Sequence, residues 1–81
     1  MTRQRKLVVY SSPLCAPCEA LKRLLASEGL DFEVRDVMVD EDAARLLESR
    51  GIRTTPVLGI DDRYYAGDDL APDRLVALLD L

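Results

Sequence analysis

The sequence predicts an α/β fold in the order βαβ, then α, then ββα, with a four-stranded mixed sheet carrying helices on both faces. Three observations lead to it. A continuous apolar run, Leu7-Val8-Val9-Tyr10, opens the patterned part of the chain. Apolar residues then recur at helical spacing in three separate segments. A two-residue polar break, Asp61-Asp62, divides two strand-like runs.

Leu7 to Ser11 reads as a central strand, because an uninterrupted apolar run is expected where both faces are covered. Leu21, Leu24 and Leu25 recur at i, i+3 and i+4, and Gly29 supplies a stop, so a helix is expected from about Ala16 to Glu28. Pro17 falls in its first turn, where a missing N–H costs little. Phe32 and Val34 alternate with Glu33 and Arg35, a period of two that predicts a strand with one buried face. Asp40 is a good N-cap for a second helix, with Glu41 and Asp42 in the first turn, Ala43, Leu46 and Leu47 on one face, and Gly51 at its end. Pro56 to Ile60 and Arg63 to Tyr65 form a hairpin about Asp61-Asp62. Pro72 opens a last helix, and Leu75, Leu78 and Leu79 repeat the stripe. All three stripes read as core rather than binding surface.

Eighty-one residues hold one core of modest size, and no linker or repeat interrupts the pattern, so residues 1–81 are read as one domain. Eleven basic against fifteen acidic residues give a net charge of −4, which argues against nucleic acid as a partner. The basic opening Thr2-Arg3-Gln4-Arg5-Lys6 reads as a solvated tail, since no signal-peptide-like stretch follows it. No run is long enough to span a bilayer, so no membrane is expected and the cytoplasm is the expected location.

The chemistry-bearing feature is Cys15-Ala16-Pro17-Cys18, placed between the first strand and the first helix and holding both cysteines of the chain. A helix starting there puts the two sulfurs within one turn, close enough to close a small disulfide ring. Cys15 at the helix N-terminus faces unpaired backbone N–H groups and the positive end of the macrodipole, both of which favour thiolate. Cys15 is therefore the candidate nucleophile and Cys18 the candidate resolving thiol. A zinc site would need four ligands, and the chain has neither histidine nor a third cysteine. A purely structural disulfide would close too short a loop to constrain the unfolded chain much. The lack of histidine also removes a Cys-His mechanism within one chain. Lys22 lies one turn beyond Cys18, Glu19 opposes thiolate formation locally, and Asp36 or Asp40 are carboxylates that could reach the site.

With Thr54-Thr55-Pro56 at the start of the third strand and Gly67-Asp68-Asp69-Leu70 after the fourth, the whole order resembles the glutaredoxin-like branch of the thioredoxin fold. The resemblance covers nearly the entire chain. It implies that Thr55-Pro56 is cis and lies beside the thiols, where the Thr55 N–H and C=O pair with substrate backbone. It also implies substrate contacts from Arg53, Thr55, Pro56, Gly67, Asp68 and Asp69. This chain departs from the glutathione-using members at three places. Ser12 stands where a basic residue is common, Ala16-Pro17 replaces an aromatic residue between the cysteines, and a single glycine, Gly67, precedes the acidic motif. These departures fit a small redoxin of the NrdH-redoxin type, reduced by thioredoxin reductase and supplying ribonucleotide reductase, about as well as a glutathione-reduced glutaredoxin.

The function read from the sequence is that of a thiol-disulfide oxidoreductase, reducing protein or glutathione mixed disulfides through Cys15 and Cys18. No tightly bound cofactor and no metal is expected; electrons come from glutathione or from NADPH through thioredoxin reductase, and a monomer is the simplest state. Two alternatives are a dimer holding an iron–sulfur cluster through Cys15 and two glutathione thiols, and a non-catalytic thioredoxin-fold adaptor.

Overall fold

The computed structural model describes residues 5–81; Thr2, Arg3 and Gln4 of the basic opening lie outside the described residues. Arg5 and Lys6 are exposed, as the solvated reading has it, but they are anchored to the body of the chain. Arg5 donates to the Leu78 carbonyl at 2.8 Å. Lys6 exchanges two backbone-anchored bonds with Asp61, its N–H donating to the carboxylate and its carbonyl accepting from the Asp61 N–H.

The chain runs β1 (Leu7–Ser11), α1 (Ala16–Ser27), β2 (Glu33–Asp36), α2 (Glu41–Ser49), β3 (Val57–Ile60), β4 (Arg63–Ala66), a 3-10 turn (Gly67–Leu70) and α3 (Pro72–Leu79). The sheet order is β2-β1-β3-β4. β1 pairs parallel with β2 and antiparallel with β3, and β3 pairs antiparallel with β4. The apolar run of β1 is therefore central, as its composition predicts. Its side chains alternate between two cores. Leu7 and Val9 pack with Leu21 and Leu25 of α1, Leu58 and Ile60 of β3, and Leu75 and Leu79 of α3. Val8 and Tyr10 turn to the opposite face and pack with Val57 and with Ala43 and Leu47 of α2. Helices thus cover both faces. Removing a side chain as large as the fully buried Leu25 from water contributes about 1.5–3 kcal/mol.

The helix boundaries follow local chemistry. The Asp40 carboxylate accepts from the Ala43 N–H at 3.0 Å and caps α2. Gly51, just beyond α2, takes φ +72°, a conformation that costs glycine little. Gly59 has a packing reason: a β-carbon there would sit 3.2 Å from the Tyr10 ring, which lies over it.

The expected burial of β2 needs correction. β2 starts at Glu33, after Phe32, and has no buried face: Val34 is 46% exposed although it pairs with the fully buried Val9. The cause is position. β2 is an outer strand, and α1 lies over β1 rather than over it. Phe32 still reaches the core on the α1 side from just before the strand. Among the described residues, no helix is long and apolar enough to cross a membrane.

Candidate active site

The site forms where β1 ends and α1 begins, and where the loop after α2 feeds β3. Cys15 is the N-cap of α1 and Pro17 lies in the first turn, as the sequence implies. Cys15 and Cys18 are joined as a disulfide with Cα atoms 5.2 Å apart. The two sulfurs are unequal in access. Cys15 is half-buried at the surface, whereas Cys18 is 0% exposed within the packed interior. The Cys18 N–H donates to the Cys15 sulfur at 3.2 Å, so a backbone dipole already points at that atom.

Thr55-Pro56 is cis. The Thr55 hydroxyl donates to the Cys15 sulfur at 3.9 Å and lies 2.7 Å from the Ser12 hydroxyl. Ser12, read from the sequence as the loss of a basic residue, therefore brings a hydroxyl into the site. No local pattern announces this contact, because the partners lie 43 residues apart.

Charged neighbours contribute little. Lys22 pairs with Glu19 at 2.5 Å, so the two side chains largely cancel near the thiols. The Asp36 carboxylate accepts from the Met38 N–H and that of Asp40 caps α2, so both are committed to the β2–α2 connection. Among the described residues, neither carboxylate is hydrogen-bonded to either sulfur.

Two grooves flank Thr55. One, of about 460 Å³, is lined by Ser12, Met38, Leu47, Glu48, Arg53 and Thr55. The other, of about 720 Å³ and mainly apolar, runs past Pro17, Leu24, Pro56, Asp68, Leu70 and Leu75. Arg53 thus stands on one side, Gly67 and Asp68 on the other, and Thr55 faces both. Asp69 lines neither groove; its carboxylate lies 3.7 Å from Arg74. The leucine stripes are not purely core: Leu24 packs against the interior with one side and lines the apolar groove with the other. Leu14, the residue before Cys15, is fully exposed in a left-handed conformation, with φ +56°.

A disulfide between a half-buried surface sulfur and one sealed beneath it, at the start of α1, is the site of a thiol-disulfide oxidoreductase of the thioredoxin fold. Both electrons reside on the sulfurs, so the exchange needs no tightly bound cofactor. The chain belongs to the glutaredoxin family, whose profile matches residues 7–65. It is 34% identical over 69 residues to the glutaredoxin-like protein NrdH of Salmonella typhimurium, covering 85% of this chain and 83% of that protein. It is also similar to the solved NrdH-redoxin of Escherichia coli, a glutaredoxin-like protein described as having a thioredoxin-like activity profile. That match has TM-score 0.78 and 32% identity, and covers 90% of this chain and 93% of the other. A buckwheat glutaredoxin solved in complex with glutathione aligns with TM-score 0.70 at 26% identity, covering 94% and 77% of the two chains.

Proposed function

We propose that this chain takes electrons from NADPH through thioredoxin reductase and delivers them to a protein disulfide, with ribonucleotide reductase as the candidate substrate. The observation that carries the assignment of roles is the difference in access between a half-buried Cys15 at the surface and a fully buried Cys18. The Cys15 thiolate attacks one sulfur of the substrate disulfide, and the other sulfur leaves as a thiolate that takes a proton from solvent. Cys18 then loses its proton and attacks the Cys15 sulfur, closing the Cys15–Cys18 bridge and releasing the second substrate thiol. The substrate gains two electrons and two protons, and the cysteine pair becomes the disulfide. Reductase and NADPH return it to the dithiol.

Four features support thioredoxin reductase over glutathione as donor. Ser12 offers no positive charge to a glutathione carboxylate, and Asp69 lies beside Arg74 rather than on either groove. The wide groove beside Pro56 is mainly apolar, which suits a protein surface better than a charged tripeptide. The similarity to the E. coli redoxin with a thioredoxin-like activity profile points the same way. In this reading Thr55 and Pro56 meet the substrate backbone, Arg53 borders one side of it, and Gly67 and Asp68 border the other. Residues 1–81 act as one domain in a monomer, and the cytoplasm, where thiols are kept reduced, is the proposed location.

The test is NADPH consumption with an oxidised protein substrate, with electrons supplied by thioredoxin reductase or by glutathione and glutathione reductase. Turnover with thioredoxin reductase and little with glutathione is expected; the reverse would overturn the donor assignment. Cys15→Ser is expected to abolish turnover and Cys18→Ser to trap a covalent substrate complex. Activity retained without Cys15 would remove the mechanism.

A further inference from the structure

The contacts around the Cys15 sulfur contain a proton count that fixes their direction. A hydroxyl carries one proton. The Thr55 hydroxyl directs its proton at the Cys15 sulfur, 3.9 Å away. The 2.7 Å contact between Thr55 and Ser12 must then be filled by the proton of Ser12. The chain of donors runs from Ser12 to Thr55 to Cys15.

We propose that Ser12 is a positioning residue for the attacking sulfur, holding the Thr55 hydroxyl in the rotamer that points its proton at Cys15. The inference rests on the reading of Cys15 as the nucleophile. In the disulfide shown here the sulfur is a weak acceptor, which matches the long 3.9 Å contact. On reduction the Cys15 sulfur becomes a thiolate, and hydrogen bonds to a charged acceptor shorten and strengthen. The thiolate then receives two protons in hydrogen bonds, one from the Cys18 N–H and one from Thr55.

Among the described residues, no other group hydrogen-bonds to this sulfur. The chain has no histidine, Lys22 is paired with Glu19, and Arg53, which lines the groove beside Ser12 and Thr55, is not hydrogen-bonded to the sulfur. Without the Ser12 hydroxyl, the half-buried Thr55 oxygen loses the donor that orients it. Its own proton is then free to turn to water or to a backbone carbonyl. A serine in place of a basic side chain therefore exchanges a diffuse charge at the rim for a directed proton at the sulfur.

The test uses the full-length reduced protein and the rate of Cys15 alkylation by iodoacetamide across pH, together with the midpoint potential in a glutathione redox buffer. Hydrogen bonds to charged groups are among the stronger ones, and this one acts at one remove, so Ser12→Ala should slow alkylation at pH 7 about three- to tenfold. The pH midpoint of alkylation should rise and the potential should become more negative, because the reduced form has lost stabilisation. Ser12→Thr, which keeps the hydroxyl, should restore the rate to within about twofold. In a Thr55→Val background, Ser12→Ala should have no further effect. An unchanged pH profile, failure of Ser12→Thr to restore it, or a full additional loss in the Thr55→Val background would each overturn the proposal. Cys15→Ser in the turnover assay separates the two readings: if it is inactive while Ser12→Ala leaves the profile unchanged, the proposal about Ser12 alone fails.

Discussion

Leu14 is a large apolar residue that is fully exposed, in the left-handed region, and one position before Cys15. The left-handed conformation costs a residue with a β-carbon about 1–2 kcal/mol, and nothing in its exposure offsets that cost in the isolated chain. A partner forming a mixed disulfide with Cys15 must cover its neighbours, and burying a leucine side chain contributes about 1.5–3 kcal/mol. Leu14→Gly removes both the conformational cost and the contact, while glycine's extra unfolded-state freedom opposes the gain by about 0.5–1 kcal/mol. Stability to urea should therefore change by no more than about 1 kcal/mol. KM for a protein disulfide should rise about tenfold, which corresponds to about 1.4 kcal/mol of lost contact, with a small disulfide unaffected. A large loss of stability, or equal effects on both substrates, would show that Leu14 serves the fold and not the encounter. At this scale the sequence was legible where chemistry is local. Cys15 and Cys18 are read from spacing alone, and Thr55-Pro56 from resemblance. The Ser12–Thr55 contact was not legible, because it exists only once the end of β1 and the start of β3 lie side by side.

Elements with a strong local signal came out as read, and those without one did not. The Asp40 cap and Gly51 bound α2 where both residues predict, while α1 ends one residue before Glu28, which caps it. The 3-10 turn at Gly67–Leu70 has no apolar repeat to announce it, since four residues complete barely more than one turn. The alternation in β2 was legible, but its burial was not, because burial depends on which strand lies at the edge of the sheet. Asp40 provides the test at this scale. Its carboxylate fills an orphan N–H of α2 and lies 4.0 Å from Arg35, a partly exposed pair of small value. Asp40→Ala should therefore destabilise the chain by about 1 kcal/mol, mainly through the lost cap. For a domain of this size that lowers Tm by about 4–8 °C. Disulfide reduction should continue at the wild-type rate below the melting range. A loss of activity without a loss of stability would mean that Asp40 reaches the thiols after all.

The whole molecule combines a small core with a sheet whose two faces hold separate apolar clusters, and the α2-side cluster contains an ionisable group, Tyr10. Its ring lies over Gly59, with the Tyr64 ring centroid 6.0 Å away and the Arg50 guanidinium 4.9 Å above Tyr64. Burial pushes the Tyr10 phenol above its ordinary value of 10.0, and the neighbouring Tyr64 adds to the rise. Arg35 opposes it and Glu33 reinforces it weakly. The folded state thus holds the proton more tightly than the unfolded chain does. A group of this kind leaves stability undiminished below the unfolded value, near pH 10, and the contribution is lost as pH climbs through the higher folded value. Thermal unfolding should show a falling Tm above about pH 10, as an unfolded chain able to ionise Tyr10 competes with a core that resists it. Tyr10→Phe keeps the ring over Gly59 and removes the ionisation, so the two proteins should differ more in the alkaline limb than between pH 7 and 9. The variant's Tm should fall less steeply there. If both proteins lose stability in parallel above pH 10, other groups set the alkaline limit and Tyr10 acts through its packing alone.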